Sequence, residues 1–442
     1  MKTKVGVVSL GCDKNRVDTE VMLHKLVEGG YEITPDASAA DVIIVNTCAF
    51  LESARKEAIE TALEMAQYKK QGSCQKVIIT GCLGQKYGKE VFDEMIEVDA
   101  VVGAYEYDRI CEIVEEVLHG GRQLCNSCND GLTVGSRVLT TSPHVAYLKI
   151  ADGCDNYCTY CLIPFIRGRY RSVPIENVVS EARELANNGV TELILVAQDT
   201  TRYGKDLYGE PRLVELIREL SAIEQIKWIR LLYCYPELMS DELISEIVNN
   251  SKVVNYVDIP LQHINSAILR KMNRKSDGES IRKLFDKLKD VGIDVRSTFI
   301  CGFPGETNET VAELTQFLLE YKLRNVGFFA YSREDGTAAA KFSDQVPERT
   351  KQRYVKQLYK AQHSVAEQLN QQSVGKSYQC VIDEADGYDG EFYFYKGRTC
   401  FMTPEIDGVV YVASKSPLEI GSYCQVAITG IAEYDLIGEV VE

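Results

Sequence analysis

The amino-acid sequence predicts an α/β protein in three parts: an N-terminal doubly wound parallel sheet, a central partial (β/α)6 barrel and a small C-terminal five-strand β-barrel of the OB-like kind. Three observations lead there. Before residue 90, a short apolar run closed by small polar residues and a cysteine occurs three times. Between about 140 and 345, six apolar runs alternate with amphipathic stretches. After residue 373 the pattern changes to short strands separated by Gly and Asp turns.

The first part covers residues 1 to 135. Its repeated runs are VGVVSLGC (Val5 to Cys12), DVIIVNTC (Asp41 to Cys48) and KVIITGC (Lys76 to Cys82), separated by helical stretches such as Asp18 to Glu28 and Glu52 to Tyr68. Runs this apolar and β-branched read as buried parallel strands. In such sheets the loops after the strands' carboxyl ends share one edge, where ligands bind. Cys12, Cys48 and Cys82 are therefore expected to converge, although 36 and 34 positions separate them. Any one of them alone reads as a buried apolar residue; their shared placement suggests an iron–sulfur cluster with one iron open. Cys74 and Cys111 lack that context and read as packing. Cys125 and Cys128, in QLCNSCND before a linker of Gly, Ser and Thr, are a redox pair, an adventitious metal site or a surface linker with no chemistry.

The second part, residues 140 to 345, has candidate strands at His144–Ile150, Glu192–Gln198, Trp228–Tyr233, Tyr256–Gln262, Asp294–Ile300 and Val326–Tyr331. Amphipathic stretches lie between them, for example Pro174 to Asn188, where Pro174 suits a helix start and Gly189 its stop. Catalytic groups belong at the strands' carboxyl ends. After the first strand comes KIADGCDNYCTYCLIPFIRGRYRS (Lys149 to Ser172), with Cys154, Cys158 and Cys161 spaced CxxxCxxC. Three thiolates on one tight loop can each ligate one iron of a [4Fe–4S] cube, leaving the fourth iron open for chemistry. The alternative, a tetrahedral zinc site, wants four ligands from paired knuckles. Gln198 and Asp199 follow the second strand, Gln262 and His263 the fourth, and the GFPGE turn the fifth.

Residues 346 to 373 carry Tyr354, Leu358, Ala361 and Val365 at helical spacing and read as a linker helix. Residues 374 to 442 form the small barrel. It holds twelve Asp and Glu against four Lys and Arg, a formal −8 in 69 residues. Affinity for phosphate chains comes mainly from Lys and Arg, so this barrel is expected to repel nucleic acid and attract a cationic protein.

Composition sets the outer bounds. The chain has 442 residues, 45% hydrophobic and 26% charged, with a net charge of −16, which suits a soluble globular protein and argues against a general nucleic-acid binder. MKTKVGVVSLGC runs from a short basic start straight into a strand, and no apolar run reaches membrane-spanning length. A cytoplasmic protein without membrane contact is expected. In a reducing compartment fifteen cysteines are metal ligands, catalytic groups or core residues rather than a disulfide framework.

The segment Lys149 to Ser172 resembles the radical S-adenosylmethionine (SAM) enzymes. Two cysteine trios followed by a TRAM-like barrel resemble, over the whole chain, their methylthiotransferase family. SLGCDKNRVDTE (Ser9 to Glu20), AQDTTRYGKDL (Ala197 to Leu207), TPEIDG (Thr403 to Gly408) and YDLIGE (Tyr434 to Glu439) are similar to the RimO-type branch. The MiaB-type branch, which modifies an adenosine of transfer RNA, differs around the first cysteine and usually has a basic TRAM domain. Asp13 departs from the proline common after the first cysteine, and Cys301 replaces a commoner aliphatic residue and reads as packing.

The resemblance implies two [4Fe–4S] clusters, on Cys12, Cys48 and Cys82 and on Cys154, Cys158 and Cys161, with S-adenosyl-L-methionine at the open iron of the second trio. It implies methylthiolation of the β-carbon of an aspartate in small-ribosomal-subunit protein twelve, with no side-chain acid or base as catalyst. The implied partners are that basic ribosomal protein and a reduced electron donor of the flavodoxin or ferredoxin type, with nucleic acid met only through the ribosome and a monomer expected. For SAM, Arg296 is expected to pair with the carboxylate or else to stand exposed on its strand, and Gln262 to satisfy a ribose hydroxyl. Gln198 lies beside them. Gly302, with Pro304 and Gly305, permits close backbone approach to a ligand or forms a plain turn. Tyr157 and Tyr160 are expected to shield the cluster, and His263 reads as a structural histidine rather than a proton carrier. The other functions considered are a MiaB-type transfer RNA enzyme, a nonenzymatic iron–sulfur carrier and an RNA-binding module.

Overall fold

In the computed structural model, which describes residues 2–127, 131–132 and 134–441, the apolar runs of the first part become strands of one parallel sheet. Its elements are β1 (Lys4–Ser9), α1 (Asp13–Glu28), β2 (Glu32–Ile33), β3 (Val42–Thr47), α2 (Glu52–Gln71), β4 (Lys76–Gly81), α3 (Cys82–Glu94), β5 (Ala100–Val102), α4 (Ile110–His119) and β6 (Gln123–Cys125). The strand order is β2-β1-β3-β4-β5-β6, every neighbour parallel. The direction of winding reverses between β1 and β3, which opens the crevice where ligands bind in such sheets. Helix α1 begins five residues before the expected Asp18, because Cys12 takes the extended N-cap conformation and Asp13 falls in the first turn. Its first turn therefore projects from that crevice.

The central part continues with β7 (Val145–Lys149), β8 (Ala151–Asp152), α5 (Ile163–Ile166), β9 (Arg171–Ser172), α6 (Ile175–Asn187), β10 (Glu192–Val196), α7 (Lys205–Tyr208), α8 (Leu213–Ser221) and β11 (Trp228–Leu231). After these come α9 (Asp241–Asn249), β12 (Val253–Asp258), α10 (Ser266–Lys271), α11 (Gly278–Asp290), β13 (Asp294–Cys301), α12 (Asn308–Tyr321) and β14 (Val326–Ala330). Strands β7, β10, β11, β12, β13 and β14 lie side by side in chain order, all parallel, and β8 pairs antiparallel with β9. The fourth strand, expected at Tyr256–Gln262, instead spans Val253–Asp258. Pro260 offers no N–H to a neighbour, and Gln262 has a left-handed φ of +70°, so regular pairing stops before them. Tyr233, expected at the end of the third strand, likewise lies beyond Leu231 with φ +60°.

Helix α13 (Glu348–Gln371) leads to β15 (Ser377–Tyr388), β16 (Tyr393–Thr399), β17 (Val410–Ser414), β18 (Tyr423–Ala432) and β19 (Asp435–Val440), which close as β15-β16-β17-β19-β18. The central sheet is buried on both faces, which is why its strands read as near-continuous apolar runs. Ala146, Leu148, Leu193, Leu195 and Ile229 pack with the helices, whereas Val145, Tyr147, Ile194, Trp228 and Tyr256 pack with residues of the small barrel. At that second interface Glu192 is fully buried between Arg230 (3.0 Å) and Arg398 (2.8 Å), and Arg398 also meets Asp383 (2.7 Å). Breaking a pair inside such a network strands a buried charge, so the barrel is fixed on the sheet by charge as well as by packing. Among the described residues no helix is long and apolar enough to cross a membrane.

Candidate active site

Strands β1, β3 and β4 are neighbours, and each ends at a cysteine or just before one. Cys12 caps α1, Cys48 follows β3, and Cys82 opens α3. Gly11, at φ +97°, lets the two loops touch: a Cβ there would lie 2.8 Å from that of Cys48. Burial pushes the Cys48 thiol up to about 12, and the charges of Cys82 and Cys12 add to the rise. The first trio is thus brought together at the crevice, with Cys12 exposed, Cys48 half-buried and Cys82 buried.

The second trio sits on the loop after β8, with Cys154 and Cys158 buried and Cys161 half-buried. Backbone N–H groups of Asn156 and Ile163 donate to the sulfurs of Cys154 (3.5 Å) and Cys161 (3.4 Å). Burial pushes the Cys154 thiol up to about 11 and raises that of Cys161 as well. Burial favours the protonated form of such thiols until a cationic centre displaces the proton and leaves a thiolate ligand. Among the described residues no three His, Cys, Asp or Glu side chains are set to hold a single ion. In a cube each thiolate binds a different iron, and three cysteine sulfurs on one loop are the donor type such a cluster takes.

The two trios are joined through a buried ionic cluster. Arg167, 2% exposed, donates to Cys82 Sγ (3.4 Å), Asp18 (2.7 Å), Asp152 (3.2 Å) and Asn15 Oδ1 (3.2 Å). Lys149 pairs with Asp18 and lies 3.7 Å from Asp152. Burial alone would raise the Asp152 carboxyl, but Arg167 and Lys149 hold it down at about 2. Asp152 in turn accepts from the Gly153 N–H (2.8 Å), one residue before Cys154. The path from Cys82 through Arg167 and Asp152 to Cys154 is continuous and buried. Sequence reasoning missed Arg167 and Lys149, which look like two of several basic residues flanking the cysteine loop.

The loop is also held from outside. Thr159 N–H donates to Met272 O (3.0 Å), and Asn273 Nδ2 donates to the carbonyls of Asn156 (3.2 Å) and Tyr157 (3.0 Å). Arg274, 8% exposed, lies over the Tyr235 ring and approaches Cys158 Sγ at 4.0 Å. Asn273 itself has a left-handed φ of +60°.

The expected SAM contacts divide into two groups. Gln198 donates to Asp152 (3.0 Å), and its buried Oε1 has no partner among the described residues, an acceptor suited to a ribose hydroxyl. Tyr160 stands edge-on to Phe303 (6.4 Å) beside the loop, and Gln262 is half-buried at the neighbouring strand end. Arg296 already has protein partners. Its guanidinium is paired with Asp258 (2.9 Å) and with Asp407 of the small barrel (3.3 Å), so it ties domains together. Gly302 is likewise corrected: a Cβ there would meet Lys351 of α13 (2.8 Å to Cβ), and its N–H donates to Glu306. The close approach is by the linker helix, not by a ligand. Tyr157 is 49% exposed, at odds with the shielding role expected of it.

His263 is structural: Nδ1 accepts from the N–H groups of Ile264 (2.9 Å) and Asn265 (2.8 Å), leaving Nε2 to donate to Glu306 (3.0 Å). Cys301 is fully buried, as packing requires. Of the lone CxxC pair, Cys125 ends β6 and Cys128 lies outside the described residues.

Residues 4–103 match the Uncharacterized protein family UPF0004, residues 148–318 the Radical SAM superfamily and residues 374–441 the TRAM domain. The first two matches each enclose one cysteine trio. A Clostridium botulinum protein named "Ribosomal protein uS12 methylthiotransferase RimO" is 49% identical over 99% of this chain and 98% of its own length. A protein of the same name from Acetivibrio thermocellus is 47% identical over 100% and 99%. Among solved structures, the radical S-adenosylmethionine methyltransferase TsrM from Kitasatospora setae, with cobalamin and a [4Fe-4S] cluster bound, superposes with a TM-score of 0.57 at 16% identity over 77% of each chain. The cobalamin-dependent S-adenosylmethionine radical enzyme OxsB gives 0.53 at 12% identity over 80% of this chain and 56% of that one. At these identities the structural likeness is one of fold. With relatives this similar along its whole length, the chain belongs to the RimO family of ribosomal protein uS12 methylthiotransferases.

Proposed function

We propose that the chain inserts a methylthio group at the β-carbon of an aspartate in ribosomal protein uS12. The observation that carries this reading is the pair of cysteine trios joined across two domains by Arg167 and Asp152. Cys154, Cys158 and Cys161 would hold the [4Fe–4S] cluster that binds SAM, and Cys12, Cys48 and Cys82 a second one. Bound there, these groups supply one-electron removal of hydrogen from an unactivated carbon, the sulfur, and the methyl group, chemistry no side chain can perform.

The chain's own residues position and insulate. Gln198 and Gln262 would accept or donate to SAM's hydroxyls, and Tyr160 with Phe303 presents an apolar wall. Arg167 and Lys149 neutralise Asp18 and Asp152, so the space between the trios carries no unpaired carboxylate from this cluster. Burial keeps water from that space, which protects a reactive radical from quenching. The acidic small barrel suits the basic substrate protein. The enzyme would act as a cytoplasmic monomer, take electrons from a reduced flavodoxin or ferredoxin, and meet nucleic acid only through the ribosome.

The test is anaerobic incubation of cluster-loaded protein with SAM, reductant and uS12, followed by tandem mass spectrometry. A methylthio group on one aspartate is expected. Unmodified uS12 beside methylthiolated transfer RNA would overturn the reading in favour of the MiaB-type activity, and cluster transfer to an acceptor without SAM cleavage would point to an iron–sulfur carrier.

A further inference from the structure

The first turn of α1 carries a cation on a largely buried side chain that is in no ion pair among the described residues. Lys14, two residues after Cys12, is 7% exposed. Among the described residues its ammonium makes no hydrogen bond and has no carboxylate at ion-pair distance; it rests on the face of Tyr233, 3.1 Å from the ring centre. The acidic groups that act on it are Cys12, a proposed cluster ligand, and three carboxylates that are already engaged. Asp13 accepts from the Tyr233 hydroxyl (2.9 Å), Asp258 pairs with Arg296 (2.9 Å) and accepts the Tyr233 N–H (3.0 Å), and Asp152 belongs to Arg167 and Gln198. Tyr233 is thus fixed at both ends in a left-handed conformation, and the platform beneath Lys14 is rigid. Cys12 caps α1 without a side-chain hydrogen bond, so the positive end of the helix adds to the same corner.

We propose that Lys14 binds a carboxylate, that of the substrate's target aspartate. The inference rests on the reading of uS12 as substrate and deepens it. In aspartate the carboxylate is bonded directly to the β-carbon that receives sulfur. A cation two residues from Cys12 therefore holds the reacting carbon on the side of the trio proposed to supply that sulfur. SAM carries a carboxylate too, but Lys14 belongs to the N-terminal domain and the Cys12 side of the site, which favours the substrate. The same contact explains a choice of aspartate over asparagine, whose amide has no charge to offer.

The test compares anaerobic, cluster-loaded wild type with Lys14→Gln and Lys14→Arg, using three probes in equilibrium binding: uS12, uS12 with the target Asp replaced by Asn, and SAM alone. Iron content and the urea midpoint verify that each variant is folded. Wild type is expected to bind the Asp form about tenfold or more tighter than the Asn form. Lys14→Gln should erase that preference by weakening the Asp form alone, Lys14→Arg should keep most of it, and SAM affinity should stay within about twofold. Weakened SAM binding with the Asp preference intact would assign Lys14 to SAM and overturn the proposal, as would a Lys14→Gln protein that discriminates like wild type. A wild type that binds uS12 without discriminating overturns this inference alone; one that binds no uS12 overturns the substrate reading beneath it.

Discussion

Replacing Arg167 by Met should break the junction between the two cysteine-bearing domains. The guanidinium is 2% exposed and serves two carboxylates, one amide oxygen and one sulfur. Removing one partner of a buried pair costs about 3–5 kcal/mol. Lys149 remains to serve Asp18 and, more distantly, Asp152, so the lower end applies: about 3 kcal/mol, or roughly a 150-fold shift in the folded-to-unfolded ratio. Arg167→Lys keeps the charge but not the fork, and about half of that loss is expected. The assay is urea unfolding of the anaerobic apo chain, with a double-mutant cycle against Asp18→Asn.

Acid should magnify the difference. The Asp152 carboxyl, held at about 2 in the folded chain, lies below its unfolded value near 3.9. Its contribution of about 2 kcal/mol is therefore present above about pH 4 and lost as pH falls toward 2. Without Arg167 that carboxyl rises, and acid unfolding should begin at higher pH. A variant within about 0.5 kcal/mol of wild type, with an unchanged acid limb, would refute the view that this network joins the domains.

Other consequences are separable. In anaerobic apo protein at pH 8, Cys48 and Cys154, with thiols pushed up to about 12 and about 11, should be alkylated about 100-fold or more slowly than after unfolding in urea, as read by peptide mapping. Arg296→Ala should leave SAM affinity within about twofold while loosening the small barrel, seen as faster proteolysis around Asp407, because its partners are Asp258 and Asp407. If the barrel, with its −8 charge, docks uS12 at a solvated surface, binding should weaken steeply as salt rises from 50 to 300 mM. A flat salt response would move the docking surface elsewhere.

The cysteine trios were legible because their signals are local: CxxxCxxC fixes one loop, and a cysteine repeated at the ends of three apolar runs exploits the rule that parallel strands end on one edge. The five-strand barrel was legible from its alternation and turns. What failed depended on contacts between distant segments. Arg296 lies on a strand where a ligand carboxylate was expected, but its second partner, Asp407, arrives from the barrel more than a hundred positions later. Gly302 marks a close approach, as its type suggested, yet the visitor is Lys351. Arg167 stands among Arg169 and Arg171 with nothing in the sequence to say which one is buried. The fourth central strand ends earlier than its apolar run, because Ile259, Pro260 and Leu261 extend that run past the point where regular pairing stops and only single hydrogen bonds to β13 continue.

The central claim is that two cubes face one chamber, each held by three thiolates. Mössbauer spectroscopy of anaerobically reconstituted, iron-57-labelled protein tests it most directly, with Cys12→Ser and Cys158→Ser beside wild type. The expected result is about eight irons per chain as two [4Fe–4S] clusters in wild type, and about four in either variant. A single cluster in wild type, or a Cys12→Ser protein with its full complement of iron, would contradict it.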